Sequence, residues 1–165
     1  MHHGSPIFSN SLETAACVSF FYSAGTVTAA WYLIRNVSVN LAALIGAITV
    51  CSYPTMIYQA TWFGSDLACL FFGMSSLCFA LNKYMEHSKP DLNVMLSGFF
   101  LVGSIYSKQS GICFLLPVVF LLIPQRSTRV WICFAGGVIS AFLFMSVCNA
   151  IWLDDFFYHI SPSTY

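Results

Sequence analysis

The chain has 165 residues, of which 58% are hydrophobic and only 7% are charged. Soluble domains carry about 25% charged residues, so this chain cannot cover the surface of a water-soluble fold. Six basic residues balance six acidic ones, which excludes an electrostatic basis for nucleic-acid binding. The composition therefore predicts an integral membrane protein whose partners are lipids and other membrane components.

Six apolar stretches predict an all-α, polytopic bundle of about six transmembrane spans, since one span needs about 20 apolar residues. The stretches run from about Leu12 to Ile34, Val39 to Tyr58, from just after Asp66 to Leu81, Leu92 to Tyr106, Ile112 to Ile123, and Val130 to Leu153. The fourth and fifth are short. They are either tilted or broken spans, or one helix pair interrupted between Ser107 and Gly111.

The basic residues predict the orientation of the spans. With the N-terminus outside, the inner loops hold five of the six basic residues: Arg35, Lys83, Lys89, Arg126 and Arg129. Lys108 is then the single outer basic residue, on the same side as Asp66 and the Asp154-Asp155 pair. This arrangement satisfies the positive-inside rule, and the reverse arrangement violates it. Lys83 is expected in a solvated inner loop between Asn82 and Asp91.

Most other polar and small residues have structural explanations. The seven cysteines form no C-x-x-C pair and are expected to pack as small hydrophobic residues. Asp154-Asp155 is interpreted as a solvated helix end, because an acidic pair without spaced partners is weak support for a metal site. A small-residue face for close helix packing is predicted on the sixth stretch at Gly136, Gly137 and Ser140.

Two charged residues are candidates for a functional role. Asp66 stands at the start of the third stretch, where it either caps a helix or binds a substrate hydroxyl or cationic group. Lys108 interrupts an apolar region, where insertion at a helix centre costs about 2.5–3.5 kcal/mol. It either extends to the outer headgroups or contacts a phosphate, with Gln109 and Ser110 as neighbouring donors and Gly111 allowing a tight backbone.

The order of these motifs resembles a known family. His3 to Phe8 is similar to the segment that ends the first outer loop of GT-C glycosyltransferases. Tyr53-Pro54 to Ser65-Asp66 is similar to their stretch between two spans, and Gly98 to Gly111 resembles their [ST]-K-Q-[ST]-G element. Within the class, the chain most resembles the dolichyl-phosphate-mannose–protein mannosyltransferase and aminoarabinose transferase group.

The resemblance implies a multi-pass enzyme of the bacterial inner membrane or the endoplasmic reticulum. It would transfer a sugar from a polyprenyl- or dolichyl-phosphate donor to a protein, lipid or glycan acceptor at the outer face. It places Asp66 and Lys108 at the lipid-phosphate and sugar site, where the neighbouring Gln109 and Ser110 are candidate donors. The lipid-linked sugar is the expected ligand, no metal ligand is assigned, and a divalent metal stays open.

The chain departs from the family in length and in one residue. Family members carry a catalytic acid in the first outer loop, and Glu13 does not match it. Residues 1–165 are therefore expected to form a single transmembrane domain that is a fragment of a larger one, with a complementing chain as a further partner. The alternative is a non-catalytic membrane subunit or a transporter fragment, for which a broken helix at Lys108 is also suitable.

Overall fold

The computed structural model describes residues 11–52, 65–85 and 91–152, and within these ranges the chain forms helices and no strand. The described residues form six α-helices, in order α1 Ser11–Val37, α2 Asn40–Ser52, α3 Ser65–Met85, α4 Asp91–Ser107, α5 Leu115–Leu122 and α6 Thr128–Trp152. Two 3₁₀ segments flank α5, at Gln109–Phe114 and Ile123–Gln125. The prediction of an all-α bundle is confirmed.

Within the part of the chain that the structure describes, three helices are long and apolar enough to cross a membrane, over Ala16–Val37, Ser65–Tyr84 and Thr128–Cys148. The other apolar helical segments are shorter: Asn40–Ser52, Leu92–Ser107 and Gln109–Gln125. The remainder of the second predicted stretch, 53–58, lies outside the described residues. So do His3, Asp154 and Asp155.

α1 and α3 lie side by side and run in the same direction. The rings of Tyr22 and Phe71 are 5.4 Å apart between centroids, and the thiol of Cys78 donates to the carbonyl of Ala29 over 3.6 Å. The two contacts have the same offset of 49 positions along the chain, as parallel helices require. α2 returns along α1, where Gly46 packs against Ile34.

α3 and α4 form an antiparallel pair with the most extensive contact in the bundle. Ser76 and Ser97 bond reciprocally: the Ser76 hydroxyl donates to the Ser97 carbonyl over 2.8 Å, and the Ser97 hydroxyl donates to the Ser76 carbonyl over 3.0 Å. Two turns away, the Ser104 hydroxyl donates to the Cys69 carbonyl over 2.9 Å. These buried bonds fix the register of the pair, since an unpaired hydroxyl between apolar helices is costly.

The predicted interruption after Ser107 is present, and it reverses the direction of the chain. Gly111 packs against the last turn of α4 at Ser104, and Phe114 then packs on Gly73 of α3. Deeper in the bundle, Val118 and Leu122 share a core cluster with α3 and α4. The segment from Gln109 to Gln125 therefore runs back through the bundle alongside α3. From the rise per residue of its 3₁₀ and α-helical parts, its length is about 30 Å. That length equals the thickness of a bilayer core, so the shortness of the fifth stretch in residues is offset by its stretched 3₁₀ turns.

α6 packs against α4 through glycines at which the two backbones approach closely. A Cβ on Gly137 would lie 1.9 Å from the Met95 carbonyl oxygen, and one on Gly98 would lie 2.5 Å from that of Phe134. Gly136, by contrast, faces open space. The predicted small-residue face is therefore confirmed at Gly137, and the prediction is wrong at Gly136.

The expectation of a solvated loop at Lys83 is wrong. α3 continues to Met85, and Lys83 is only 4% exposed. It follows Cys69 and Ser76 at intervals of seven residues, so it shares the helix face that is buried against α4. Its neighbour Asn82 accepts a hydrogen bond from the hydroxyl of Tyr32.

Candidate functional site

The two candidate residues meet at one end of the α3–α4 pair. α3 begins at Ser65, which places Asp66 in its first turn, where a carboxylate complements the helix dipole. α4 ends at Ser107, and Lys108 follows it in an extended conformation, with φ −159° and ψ 137°. Because the helices are antiparallel, the start of one lies beside the end of the other.

The ammonium group of Lys108 donates to Oδ1 of Asp66. The Lys108 side chain is 46% exposed and that of Asp66 is 39% exposed, so the pair lies at the surface of the bundle. Exposed ion pairs contribute only about 0–1 kcal/mol to stability. A bound anion can therefore replace the carboxylate as the partner of Lys108 at small cost.

The backbone around Lys108 is held more firmly than its side chain. Its N–H donates to the Ser104 carbonyl over 3.1 Å, and its own carbonyl accepts from the Gly111 N–H over 2.8 Å. Gly111 is buried against Ser104, where a Cβ would lie 2.4 Å from the carbonyl oxygen. Only glycine fits this contact without movement of the backbone, which agrees with the tight turn expected from the sequence.

The other two candidate residues stand beside Lys108. Gln109 and Ser110 begin the 3₁₀ segment, and both are exposed. The hydroxyl of Ser107, in contrast, donates back to the Gly103 carbonyl over 2.8 Å and is used within α4. The arrangement offers one ammonium group, one carboxylate and two neutral polar side chains on a single exposed edge of the bundle.

Sequence reasoning did not single out Ser104 or Cys69, which connect the two sides of this site. A usable signal was present. Cys69 and Ser76 on α3 are seven residues apart, and so are Ser97 and Ser104 on α4, with Gly111 seven residues further along the chain. Small residues at a seven-residue spacing mark the contact line of two packed membrane helices.

The end of the bundle opposite the Asp66–Lys108 pair is basic. α1 and α3 finish there with Arg35 and Lys83, the turn between α5 and α6 adds Arg126, and the first turn of α6 adds Arg129. The guanidinium of Arg35 stacks on the ring of Trp31 at 5.0 Å from its centroid. Within the part of the chain that the structure describes, no group of three or more His, Cys, Asp or Glu residues is placed to hold a metal ion.

An all-helical bundle with three helices able to span a membrane defines the chain as a membrane protein of the helical class. A family model described as dolichyl-phosphate-mannose-protein mannosyltransferase matches residues 1–152. The chain belongs to this family of GT-C membrane glycosyltransferases, as its motifs predicted. No curated protein and no solved structure matches the chain.

Proposed function

We propose that this chain is the donor-binding part of a membrane glycosyltransferase that uses a polyprenyl- or dolichyl-phosphate-linked sugar. Membership of the mannosyltransferase family supports sugar transfer as the reaction class. The pairing of Lys108 with Asp66 at the exposed break after α4 supports the location of the site. Under this proposal the acceptor is a protein, a lipid or another glycan.

Lys108 is the residue that would bind the lipid phosphate. When the bond between the sugar and the phosphate oxygen breaks, the leaving phosphate gains negative charge. A fixed ammonium group next to that oxygen stabilises the charge as it develops. The weak, exposed pair with Asp66 holds the ammonium group at the site before the donor arrives and can be exchanged for the phosphate.

Asp66 would then orient a sugar or acceptor hydroxyl, and Gln109 and Ser110 would donate to phosphate or sugar oxygens. The proton of the acceptor requires a base as well. In the family this base is an acidic residue of the first outer loop. We assign none of the described residues of this chain to that role. The role proposed for this chain is therefore donor binding and leaving-group stabilisation.

The charge distribution supports a direction for the site. Arg35, Lys83, Arg126 and Arg129 lie at one end of the bundle and Lys108 at the other. By the positive-inside rule the basic end faces the cytoplasm. The Asp66–Lys108 pair would then face the outer or lumenal side, where lipid-linked sugars are consumed in this family.

The direct test is binding of dolichyl phosphate and undecaprenyl phosphate to the purified chain in nanodiscs, with dolichol as the uncharged probe. We expect Lys108→Ala to raise the Kd for both phosphates by about 10- to 100-fold, as loss of one charged hydrogen bond does. Lys108→Arg should retain part of the affinity, and binding of dolichol should not change.

Arg126→Asn is the matched control, because it removes one exposed positive charge at the opposite end, and asparagine tolerates the left-handed backbone there (φ 42°). Equal losses for Lys108→Ala and Arg126→Asn would show general charge attraction and refute the site. Binding of lipid phosphate without any sugar transfer in membranes that contain the chain would favour the non-catalytic alternative.

A further inference from the structure

Ser104 is fully buried in α4, one helical turn before Lys108, and three parts of the site meet at it. Its hydroxyl donates to the Cys69 carbonyl over 2.9 Å and lies 3.4 Å from the Cys69 sulfur. Cys69 follows Asp66 by three residues, which places the two on one face of α3 about one turn apart. Ser104 thus bonds to the helix that carries Asp66.

The same residue also holds both sides of the break. The Ser104 carbonyl accepts the Lys108 N–H over 3.1 Å, which is the last hydrogen bond of α4. Gly111 rests on Ser104, and the Gly111 N–H donates to the Lys108 carbonyl over 2.8 Å. The backbone of Lys108 is therefore fixed at its nitrogen by Ser104, and at its oxygen by a residue that packs on Ser104.

A second buried serine provides an internal comparison. Ser97 lies two turns deeper on the same face of α4, is equally buried, and donates to the Ser76 carbonyl over 3.0 Å. Its bond joins the same two helices, but no break in the backbone and no charged candidate residue adjoins it. Ser97 and Ser104 thus make similar contributions to helix packing and differ in what lies next to them.

We propose that Ser104 is a positioning residue that holds Lys108 opposite Asp66, and that it affects donor binding only through Lys108. The effect on binding rests on the proposed function, whereas the effect on geometry does not. Ser104→Ala removes the link from α4 to Cys69 and so lets the end of α4 move relative to the start of α3.

The geometric test is zero-length cross-linking of the native pair with a carbodiimide, which joins a carboxylate to an amine only when the two are in contact. Both side chains are exposed enough to react. Mass spectrometry then gives the yield of the Asp66–Lys108 amide bond in nanodiscs. We expect Ser104→Ala to lower the yield about three- to tenfold and Ser97→Ala to leave it within a factor of two.

Gly111→Ala tests the contact between Gly111 and Ser104 from the Gly111 side. It is used in place of Ser104→Ala if the Ser104→Ala protein does not fold. A methyl group at Gly111 must displace the 3₁₀ segment from Ser104, and the cross-link yield should fall in the same way. Gly136→Ala is its control, since no atom of the described residues lies within 4 Å of a Cβ at that position. The proposal would be overturned if the Ser104→Ala, Ser97→Ala and wild-type proteins gave equal cross-link yields and Gly111→Ala also left the yield unchanged.

The binding test separates positioning from general destabilisation. We expect Ser104→Ala to raise the Kd for dolichyl phosphate about three- to tenfold in the wild-type background and to have no effect when Lys108 is already alanine. A loss that persists in the Lys108→Ala background would refute action through Lys108. If Lys108→Ala itself does not change binding, the proposed function fails, and the cross-linking result still decides the geometric claim.

Discussion

The ammonium group of Lys108 and the carboxylate of Asp66 form an ion pair across 42 positions of the chain. The pair joins the first turn of α3 to the residue that directly follows α4. It lies at the bundle surface, with both side chains more than a third exposed. An exposed pair of this kind stabilises the fold little, so its two charges can be altered separately to learn what each does.

Asp66→Asn is expected to strengthen binding of lipid phosphate severalfold. The substitution removes the negative charge that competes with an incoming phosphate for Lys108, and stability should change by less than about 1 kcal/mol. Titration of dolichyl phosphate in nanodiscs measures the first effect, and unfolding in mixed SDS micelles measures the second. Weaker binding of this sugar-free probe with unchanged stability would show that Asp66 helps Lys108 to bind the phosphate and would contradict this prediction.

Ser76→Ala is expected to destabilise the bundle by about 0.6–1.7 kcal/mol, because its hydroxyl bonds across the α3–α4 contact to Ser97. The two hydroxyls also lie 3.2 Å apart, so they act as one unit. The double variant Ser76→Ala, Ser97→Ala should therefore cost less than the sum of the single variants. SDS unfolding of the three proteins checks this, and additive costs would indicate that the bonds are independent.

Replacing Ser19 with alanine should change the stability of the bundle in the opposite direction to replacing Ser76. The Ser19 hydroxyl is buried in α1 and has no hydrogen-bond partner among the residues that the structure describes. Replacing it with alanine removes a polar group that is buried without compensation, and stability should increase by about 1 kcal/mol. A decrease in the same unfolding measurement would mean that the hydroxyl has a partner in the membrane, such as lipid or bound donor.

Much of the architecture was predictable because apolar length alone decides where membrane helices form. Within the described residues, the predicted stretches match the helices closely, and the break at Lys108 was marked by a charged and polar run within an apolar region. The sequence alone did not predict that the chain reverses at this break. The direction of the chain after Lys108 depends on the contacts of Gly111 with α4 and of Phe114 with α3. A single glycine in a sequence does not show what it packs against.

The site was predictable only as a list of residues. Lys108 and Asp66 stood out because charge is rare in this chain, and their contact depends on the antiparallel register that Ser76, Ser97 and Ser104 set. The position of Lys83 was predicted wrongly because its charge was given too much weight. Its charge indicated a loop, but its apolar stem allows burial on a helix face whose spacing it shares with Cys69 and Ser76.

Two adjacent glycines in α6 should differ sharply when replaced by alanine. Gly137→Ala places a methyl group against the Met95 backbone, and the required separation of α4 and α6 should cost about 1–3 kcal/mol. Gly136→Ala meets open space and should stabilise the helix by up to about 1 kcal/mol through its better helix propensity. Unfolding of the two variants side by side in SDS checks the contrast, and equal effects would contradict the α4–α6 contact.

The orientation of the bundle can be tested without any assay of activity. Ser110 lies at the Lys108 end and Ser127 at the basic end, and both are exposed. In a background where the exposed cysteines Cys17, Cys51 and Cys113 are replaced by serine, single cysteines are placed at position 110 or 127. A membrane-impermeant maleimide added to intact cells or sealed lumen-out vesicles should label Ser110→Cys and should not label Ser127→Cys until the membrane is permeabilised.

Labelling at Ser127→Cys alone would place the basic end outside, against the electrostatic preference for inner basic loops. It would also move the Asp66–Lys108 pair to the cytoplasmic face, where the donor would have to be bound before it crosses the membrane.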